Sequence, residues 1–282
     1  MEKEDCVFRK IDLIDQTIRK KDIKQMLRTM YNSICFSTFP YLVYKETSSK
    51  TCIQRYNSGN CIGFVYFMKM YLEANHNVQS VIIPASVPPL FKVEGTPHMC
   101  HCALLIPLNA HDFYVVDGAL YFLEPMFCSL QKNKTRQIHN CNVHRHEKTT
   151  IQYEMKPCFR SQYDIDYNQT LPDDCLRVST HFEDEPFQDW DYYLIELANP
   201  DETIGQAFLL HKNEPFIMYT QMEDDMVKMK YKMYMENDKM CIKSYPEGNQ
   251  IYSGNTYDSN EIYQKTCLLY TSDAADDLGG GD

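Results

Sequence analysis

The segment that most limits the fold is Cys61-Ile-Gly-Phe-Val-Tyr-Phe-Met-Lys-Met-Tyr-Leu72. There Ile62, Phe64, Val65, Tyr66, Phe67, Met68, Met70, Tyr71 and Leu72 leave almost no polar face. A helix that is apolar on every side has to be enclosed by the rest of the chain. Asn57-Ser58-Gly59-Asn60 precedes it with side chains suited to capping free N–H groups, so the helix is predicted to start near Cys61, with the cysteine in its first turn. Upstream, Ile23, Met26, Leu27, Met30, Tyr31 and Ile34 follow the spacing of one helical face, which reads as core packing.

From Val78 the period changes to that of strands. Val78 to Ile83, Met99 to Ile106 and Phe113 to Asp117 come first, with Pro84-Ala-Ser-Val-Pro-Pro89 as a connector. Thr149 to Met155 and Trp190 to Leu197 follow, so residues 86–199 read as an antiparallel sheet or small barrel. After Asn199-Pro200, Asp201 to Lys212 reads as a short capped helix, and Pro215 to Gln221, Val227 to Met235 and Lys239 to Tyr245 as strands. The expectation is an α+β chain in three units: a helical domain over 1–85, a β-barrel over 86–199 and a small α/β lid over 200–266.

Composition narrows the function classes. A formal net charge of −11 lacks the surplus of Lys and Arg that phosphate neutralisation needs, which argues against nucleic-acid partners. No run approaches the roughly 18 apolar residues of a membrane span, and MEKEDCVFRK is charged where a signal peptide would be apolar. The twelve cysteines are scattered without a compact framework, as in a reduced compartment. A cytoplasmic protein with small-molecule or protein partners is expected; the oligomeric state is not legible.

Phosphate-loop, dinucleotide and zinc-protease strings are absent. What remains is a cysteine, a histidine and an acid on elements that can meet. Cys61 at a helix N-terminus has the electrostatic setting of a thiolate. His101 and Asp117 lie on two strands that a hairpin centred on Asn109 would bring face to face, pairing 101 with 117, 103 with 115 and 105 with 113. Opposed side chains then stand about 5 Å apart, close enough for the carboxylate to hold one imidazole nitrogen and leave the other for the thiol. Cys61 would be the nucleophile, His101 its base, and Asp117 the group that orients the imidazole. Taken singly, each has a plainer reading: an inert buried thiol, a core histidine, a turn former before Gly118.

At these residues the chain resembles the arylamine N-acetyltransferases and, more broadly, the transglutaminase-like Cys-His-Asp superfamily. The resemblance rests on Ser58-Gly59-Asn60-Cys61, His101-Cys-Ala-Leu-Leu-Ile106 and Tyr114-Val-Val-Asp117-Gly118, at intervals of 40 and 16 residues, with Leu123-Glu124-Pro125 and Asp189-Trp190 as further landmarks. It implies a helical first domain, a barrel, an α/β lid, and acetyl-CoA as donor to the cysteine. An arylamine or hydrazine-like acceptor would take the acetyl group, with no metal. The family usually carries Arg-Gly-Gly before the residue preceding the cysteine and a Glu two residues after it; this chain has Asn57-Ser58-Gly59 and Gly63. Two alternatives therefore stay open: a transglutaminase-like deamidase, transamidase or peptidase, and an inactive binding module of the same fold.

Other clusters read as less specific. His98, Cys100 and Cys102 share one strand face opposite His101 and suggest a packed face of small residues, and His139, Cys141, His144 and His146 a solvated loop. Lys212, Lys228, Lys230 and Lys232 suggest the outer face of a strand. The stretch from Cys267 to Asp276 back-translates as the reverse complement of a transposase sequencing adapter. Residues 267–282 are accordingly expected to be read-through, cutting short a helix that starts near Ser259.

Overall fold

The computed structural model describes residues 8–92, 94, 96–131, 136–143, 146–157, 174–182, 186–205, 214–223, 226–237, 239–245 and 247–254. The helices are α1 (Lys20–Ser33), α2 (Phe39–Leu42), α3 (Ser49–Tyr56) and α4 (Cys61–His76). The strands are β1 (Phe8–Arg9), β2 (Cys35–Ser37), β3 (Ser58–Gly59), β4 (Val81–Ser86), β5 (Met99–Pro107), β6 (Asp112–Val116), β7 (Met126–Ser129) and β8 (Arg136–Val143). They continue as β9 (His146–Pro157), β10 (Asp174–Phe182), β11 (Gln188–Tyr193), β12 (Glu196–Leu197), β13 (Ile217–Glu223), β14 (Met226–Glu236), β15 (Lys239–Ser244) and β16 (Gln250–Gly254).

The two helices read from periodicity form where expected. α1 buries Ile23, Met26, Leu27, Met30 and Tyr31, the stripe that the spacing defines. α4 begins at Cys61 because Asn60 Oδ1 accepts from Ile62 N at 3.0 Å and Gly63 N at 3.2 Å, a cap that contributes about 1 kcal/mol. α3 was not legible from period, since its eight residues bury only Ser49, Cys52 and Ile53. Local chemistry defines it instead: Ser48 Oγ accepts from Thr51 N, and Asn57 ends it in the left-handed region at φ 46°. Asn57 thus terminates α3, and the cap of α4 falls to Asn60 alone.

Among the described residues the sheet runs β3-β2-β13-β14-β8-β9-β10-β11-β4-β5-β6-β7, with β15 and β16 branching from β14. It is predominantly antiparallel and curls into a nearly closed barrel, giving the α+β architecture expected. β1 and β12 form a separate pair. Residue 85 lies inside β4, which pairs with β5 and β11. All nine residues of β5 are buried, because β4 and β6 flank it and α4 packs upon it. This is why the strand reads as a continuous apolar run. Tyr31, Phe64, Ile62, Met68 and Leu72 fill the same core without exposure to solvent, each burial stabilising by about 1.5–3 kcal/mol.

The β5–β6 hairpin corrects the expected register by two residues. Leu104 pairs with Val116, Leu105 with Val115, Ile106 with Tyr114 and Pro107 with Phe113. The turn is responsible. Asn109 Oδ1 accepts from His111 N at 2.8 Å and Asp112 N at 2.9 Å, while Leu108 N reaches Asp112 O, so the centre of the hairpin moves from Asn109 to Ala110. A shift of two keeps every side chain on its face, whereas a shift of one would have reversed them all.

The helix expected after Asn199 starts as a π-helix over Asp201–Gly205, which buries Ile204, and residues 206–212 of that expectation lie outside the described residues. The Asp201 carboxylate accepts from Ser49 N at 3.0 and 3.1 Å and from Ser49 Oγ, placing a negative group at the N-terminus of α3. Among the described residues no helix is long and apolar enough to cross a membrane. The expected helix from Ser259, residues 267–282, Lys212, and the side chains of His139, Cys141, His144 and His146 lie outside what the structure describes.

Candidate active site

The first turn of α4 brings Cys61 against β5, and the end of β6 brings Asp117 against the same strand. Cys61, His101 and Asp117 are 1%, 5% and 2% exposed. His101 Nε2 lies 2.6 Å from Asp117 Oδ2. They are diagonal neighbours across the hairpin rather than directly opposed, and a diagonal on one face is within reach of an imidazole. Asp117 is then held twice more. Ala119 N donates to Oδ1 at 2.8 Å, and Tyr192 OH donates to Oδ2 at 2.6 Å.

With Nε2 engaged by Asp117, Nδ1 is the ring nitrogen left to act on Cys61. The electrostatics of the pair oppose what burial alone would do. The Cys61 thiol falls below the ordinary range: a hydrogen bond from Cys102 pulls it down, burial opposes, and the hydrogen bond and charge of His101 pull it down further. For His101 burial favours the neutral ring, yet the Asp117 charge and hydrogen bond and then Cys61 raise its pKa overall. Both shifts favour the thiolate and imidazolium forms. Burial, then Cys61, holds the Cys102 thiol well above its usual value, so Cys102 remains a donor. Burial and Asp117 likewise keep the Tyr192 phenol protonated.

Two members of this cluster escaped the sequence reading. Tyr192 was within a stretch read as a strand, and its signal was the Trp190-x-Tyr192 alternation, which puts two aromatics on one face. Both meet the imidazole: the Trp190 ring centroid is 5.4 Å and that of Tyr192 6.4 Å from His101. Phe91 stacks on Trp190 at 5.8 Å. Cys102 shares the strand face of His98 and Cys100, away from His101, and no local signal indicates its influence on the Cys61 thiol. His98 Nε2 meets Tyr193 OH at 2.7 Å, while burial lifts the Cys100 thiol to about 11, with the Cys61 charge adding to it. Among the described residues no group of three or more His, Cys, Asp and Glu is arranged to hold a metal ion.

Behind the cysteine lies a second polar cluster. Tyr41 OH stands 2.8 Å from Ser49 Oγ and 3.0 Å from Asn60 Oδ1, and accepts Asn60 N–H at 3.3 Å. This ties the cap of α4 to Ser49 and, through it, to Asp201. Gly59 and Gly63 leave room for Ile53: a Cβ on either would meet Ile53 Cδ1 at 3.1 Å. Ile53 therefore occupies the space beside the first turn that a longer side chain at position 63 would need. Gly118 is tighter still, since a Cβ there would lie 2.6 Å from Met30 Cε.

The lysines on β14 are engaged within their own surface. Lys228 and Lys230 pair with Glu223, and Lys232 lies 5.7 Å from the Tyr234 ring centroid. Their alternation with buried Val227, Met229 and Met233 marks the outer face of a strand. Glu124, in the Leu123-Glu124-Pro125 landmark, pairs with Lys20 and Lys24.

No protein-family model and no curated protein sequence matches the chain. Solved structures do match, across nearly the whole length. An arylamine N-acetyltransferase from M. smegmatis is similar over 96% of this chain and 90% of its own, with a TM-score of 0.50 at 11% identity. The NAT3 arylamine N-acetyltransferase of Bacillus cereus, described as having a Cys-His-Glu catalytic triad, covers 92% of each chain with a TM-score of 0.55 at 13% identity. The Mycobacterium marinum enzyme, solved in complex with CoA, covers 92% of this chain and 88% of its own, with a TM-score of 0.51 at 13% identity. The chain shares the fold of the arylamine N-acetyltransferases in strongly divergent sequence.

Proposed function

We propose that this chain, built on the arylamine N-acetyltransferase fold, is an acyltransferase. It takes an acetyl group from acetyl-CoA onto Cys61 as a thioester and passes it to an arylamine-like small-molecule acceptor. The observation that carries the reading is the 2.6 Å hydrogen bond between His101 and Asp117 beside the buried Cys61, whose surroundings draw its thiol below the ordinary range.

In the first half-reaction the Cys61 thiolate attacks the acetyl carbonyl. The bond to the CoA sulfur breaks as the new thioester forms, and the His101 imidazolium supplies the proton for the departing thiolate. In the second, the acceptor amine attacks that thioester, neutral His101 takes its proton, and Cys61 leaves as thiolate. Asp117 supports the positive ring, and Tyr192 holds the carboxylate in place. Asn60 engages the amides of Ile62 and Gly63, so the Cys61 N–H is the first-turn donor it leaves for the developing oxyanion. Each of these steps is carried by side chains or backbone. The donor assignment draws support from the CoA complex of the M. marinum structure. The same reading carries a cytoplasmic location and the three-unit division at 1–85, 86–199 and 200–266.

The test is direct. After incubation with labelled acetyl-CoA, mass spectrometry should find one acetyl group on the peptide bearing Cys61. Absence of that adduct, with deamidation of protein glutamine or peptide cleavage in its place, would overturn acetyl transfer in favour of a transglutaminase-like enzyme. CoA binding without turnover, unchanged in Cys61→Ala, would indicate a binding module.

A further inference from the structure

Asp201 lies in the segment that follows β12, yet it is bonded to the helix that precedes the nucleophile. Its carboxylate accepts from Ser49 N at 3.0 and 3.1 Å and from Ser49 Oγ, across 152 positions of sequence. With the hydroxyl hydrogen committed to the carboxylate, Ser49 Oγ can only accept from Tyr41 OH, 2.8 Å away. The Tyr41 oxygen in turn accepts the Asn60 N–H at 3.3 Å and stands 3.0 Å from Asn60 Oδ1. Ser49, Tyr41 and Asn60 are all buried. A carboxylate, a hydroxyl and a phenol therefore lead in order to the residue immediately before Cys61.

Asn60 is the point at which such a chain acts on the chemistry. Its backbone sits at φ −85° and ψ −164°, and the peptide plane that follows carries the Asn60 C=O on one edge and the Cys61 N–H on the other. Phe64 N donates to that C=O at 3.0 Å, Ile62 N and Gly63 N hold Asn60 Oδ1, and Tyr41 holds the Asn60 N–H from the opposite side. The contacts of Asn60 thus fix the direction of the Cys61 N–H. An oxyanion donor works over a narrow range of about 2.7–3.1 Å, so a slight tilt of the plane weakens it while the thiolate stays as nucleophilic as before.

We propose that Asp201 is a positioning residue for acyl transfer, which through Ser49, Tyr41 and Asn60 sets the direction of the Cys61 N–H at which the oxyanion forms. The proposal rests on the acyl-transfer reading and adds to it a residue from beyond the barrel. The charge at the far end has a purpose: a carboxylate strengthens the bond from Ser49 Oγ and, by polarising the hydroxyl, makes it a better acceptor for Tyr41. The chain ends on the main-chain N–H of Asn60 rather than on the thiol, so its contribution falls on acylation and not on ionisation of Cys61.

Two reactions of Cys61 separate these roles. Alkylation by iodoacetamide needs the thiolate and forms no oxyanion. Acetylation by p-nitrophenyl acetate passes through a tetrahedral oxyanion, as the Cys61 sulfur bonds to the acetyl carbon and p-nitrophenolate leaves. Single-turnover rates of both should be followed on the Cys61 peptide by mass spectrometry, across pH, in wild type, Asp201→Ala, Ser49→Ala and the double variant, each checked for folding by circular dichroism. Each single variant should slow acetylation by about 3- to 10-fold, as for the loss of one hydrogen bond, with the alkylation rate and its pH midpoint as in wild type. The double variant should be no slower than the slower single one, because both cut the same chain. Ser49→Ala retains the N–H that Asp201 accepts at the start of α3, so it decides the matter even if Asp201→Ala does not fold. Equal loss of both reactions, a shifted alkylation midpoint, wild-type acetylation in either folded single variant, or losses that multiply in the double variant would each overturn the proposal. No acetylation of wild-type Cys61 by the ester would overturn it together with acyl transfer. Acetylation by the ester but not by acetyl-CoA would count against the donor assignment alone, and the comparison of variants would stand.

Discussion

Cys52 and Cys61 sit on neighbouring helices, both sealed from solvent, and their thiols are driven in opposite directions. Burial pushes Cys52 up to about 12, and the nearby Glu46 and Asp201 charges add to it; the hydrogen bond from Tyr41 only partly offsets them. Cys61 is as deeply buried, yet falls below the ordinary range because a thiol donor and an imidazolium face it. The contrast separates burial from activation. Removing a thiol from water disfavours its anion, and only donors or positive charge in the first contact layer reverse that. Cys52 has mainly acidic company, and Cys61 has Cys102 and His101.

The largest expected effect comes from deleting each sulfur in turn. Cys61→Ala should abolish the acetyl adduct altogether, while Cys52→Ala should acquire it as wild type does; an adduct that survives in Cys61→Ala would place the nucleophile elsewhere. Next, His101→Ala should slow adduct formation by about 10²–10⁴-fold, the usual range for a general acid–base, measured as a single-turnover rate. A wild-type rate would remove His101 from the chemistry.

Tyr192→Phe deletes one hydrogen bond to the Asp117 carboxylate. Bonds to charged groups contribute about 1.5–3 kcal/mol, so the same rate should drop about 10- to 100-fold if the loss is felt in the transition state. Restoration of the rate in no other variant is needed; an unchanged rate in Tyr192→Phe would reduce the phenol to packing.

Alkylation by iodoacetamide against pH sharpens the comparison itself. The rate follows the thiolate, rising as pH climbs through the thiol pKa and lost as pH falls through it. Cys61 should therefore react with a midpoint below that of an ordinary thiol, and Cys52 should stay unreactive until the alkaline end of the range. Cys102→Ala should move the Cys61 midpoint upward, because the Cys102 hydrogen bond is the largest downward influence. Coincident midpoints for Cys52 and Cys61 would break the contrast. The smallest effect belongs to Tyr41→Phe. It should lower stability by about 1 kcal/mol in denaturant titration, through the loss of its hydrogen bonds to Ser49 and Asn60, and leave alkylation of Cys61 near wild type.

Particular elements show what could be read in advance. The α1 stripe and the start of α4 were legible because helical period and an Asn cap act within a few residues. α3 was not, because a short helix with few buried residues has too little period to detect. The hairpin joining β5 and β6 was legible as a hairpin, but its register depended on how the Asn109 side chain folds the turn. The expected contact between His101 and Asp117 tolerated that error, since an even shift preserves the face.

By itself the sequence determined an enclosed helix with a cysteine in its first turn, an antiparallel α+β chain around it, and a histidine and an aspartate on one face of a hairpin. These follow from interactions between residues close along the chain, where period, capping and alternation leave few choices. Only the tertiary structure decided that Tyr192 would lock Asp117. It also decided that the surroundings of one buried thiol favour its anion while those of its neighbour on α3 oppose it. Those outcomes rest on contacts between segments distant in sequence, where the balance of desolvation, charge and hydrogen bonding is set by what packing brings together.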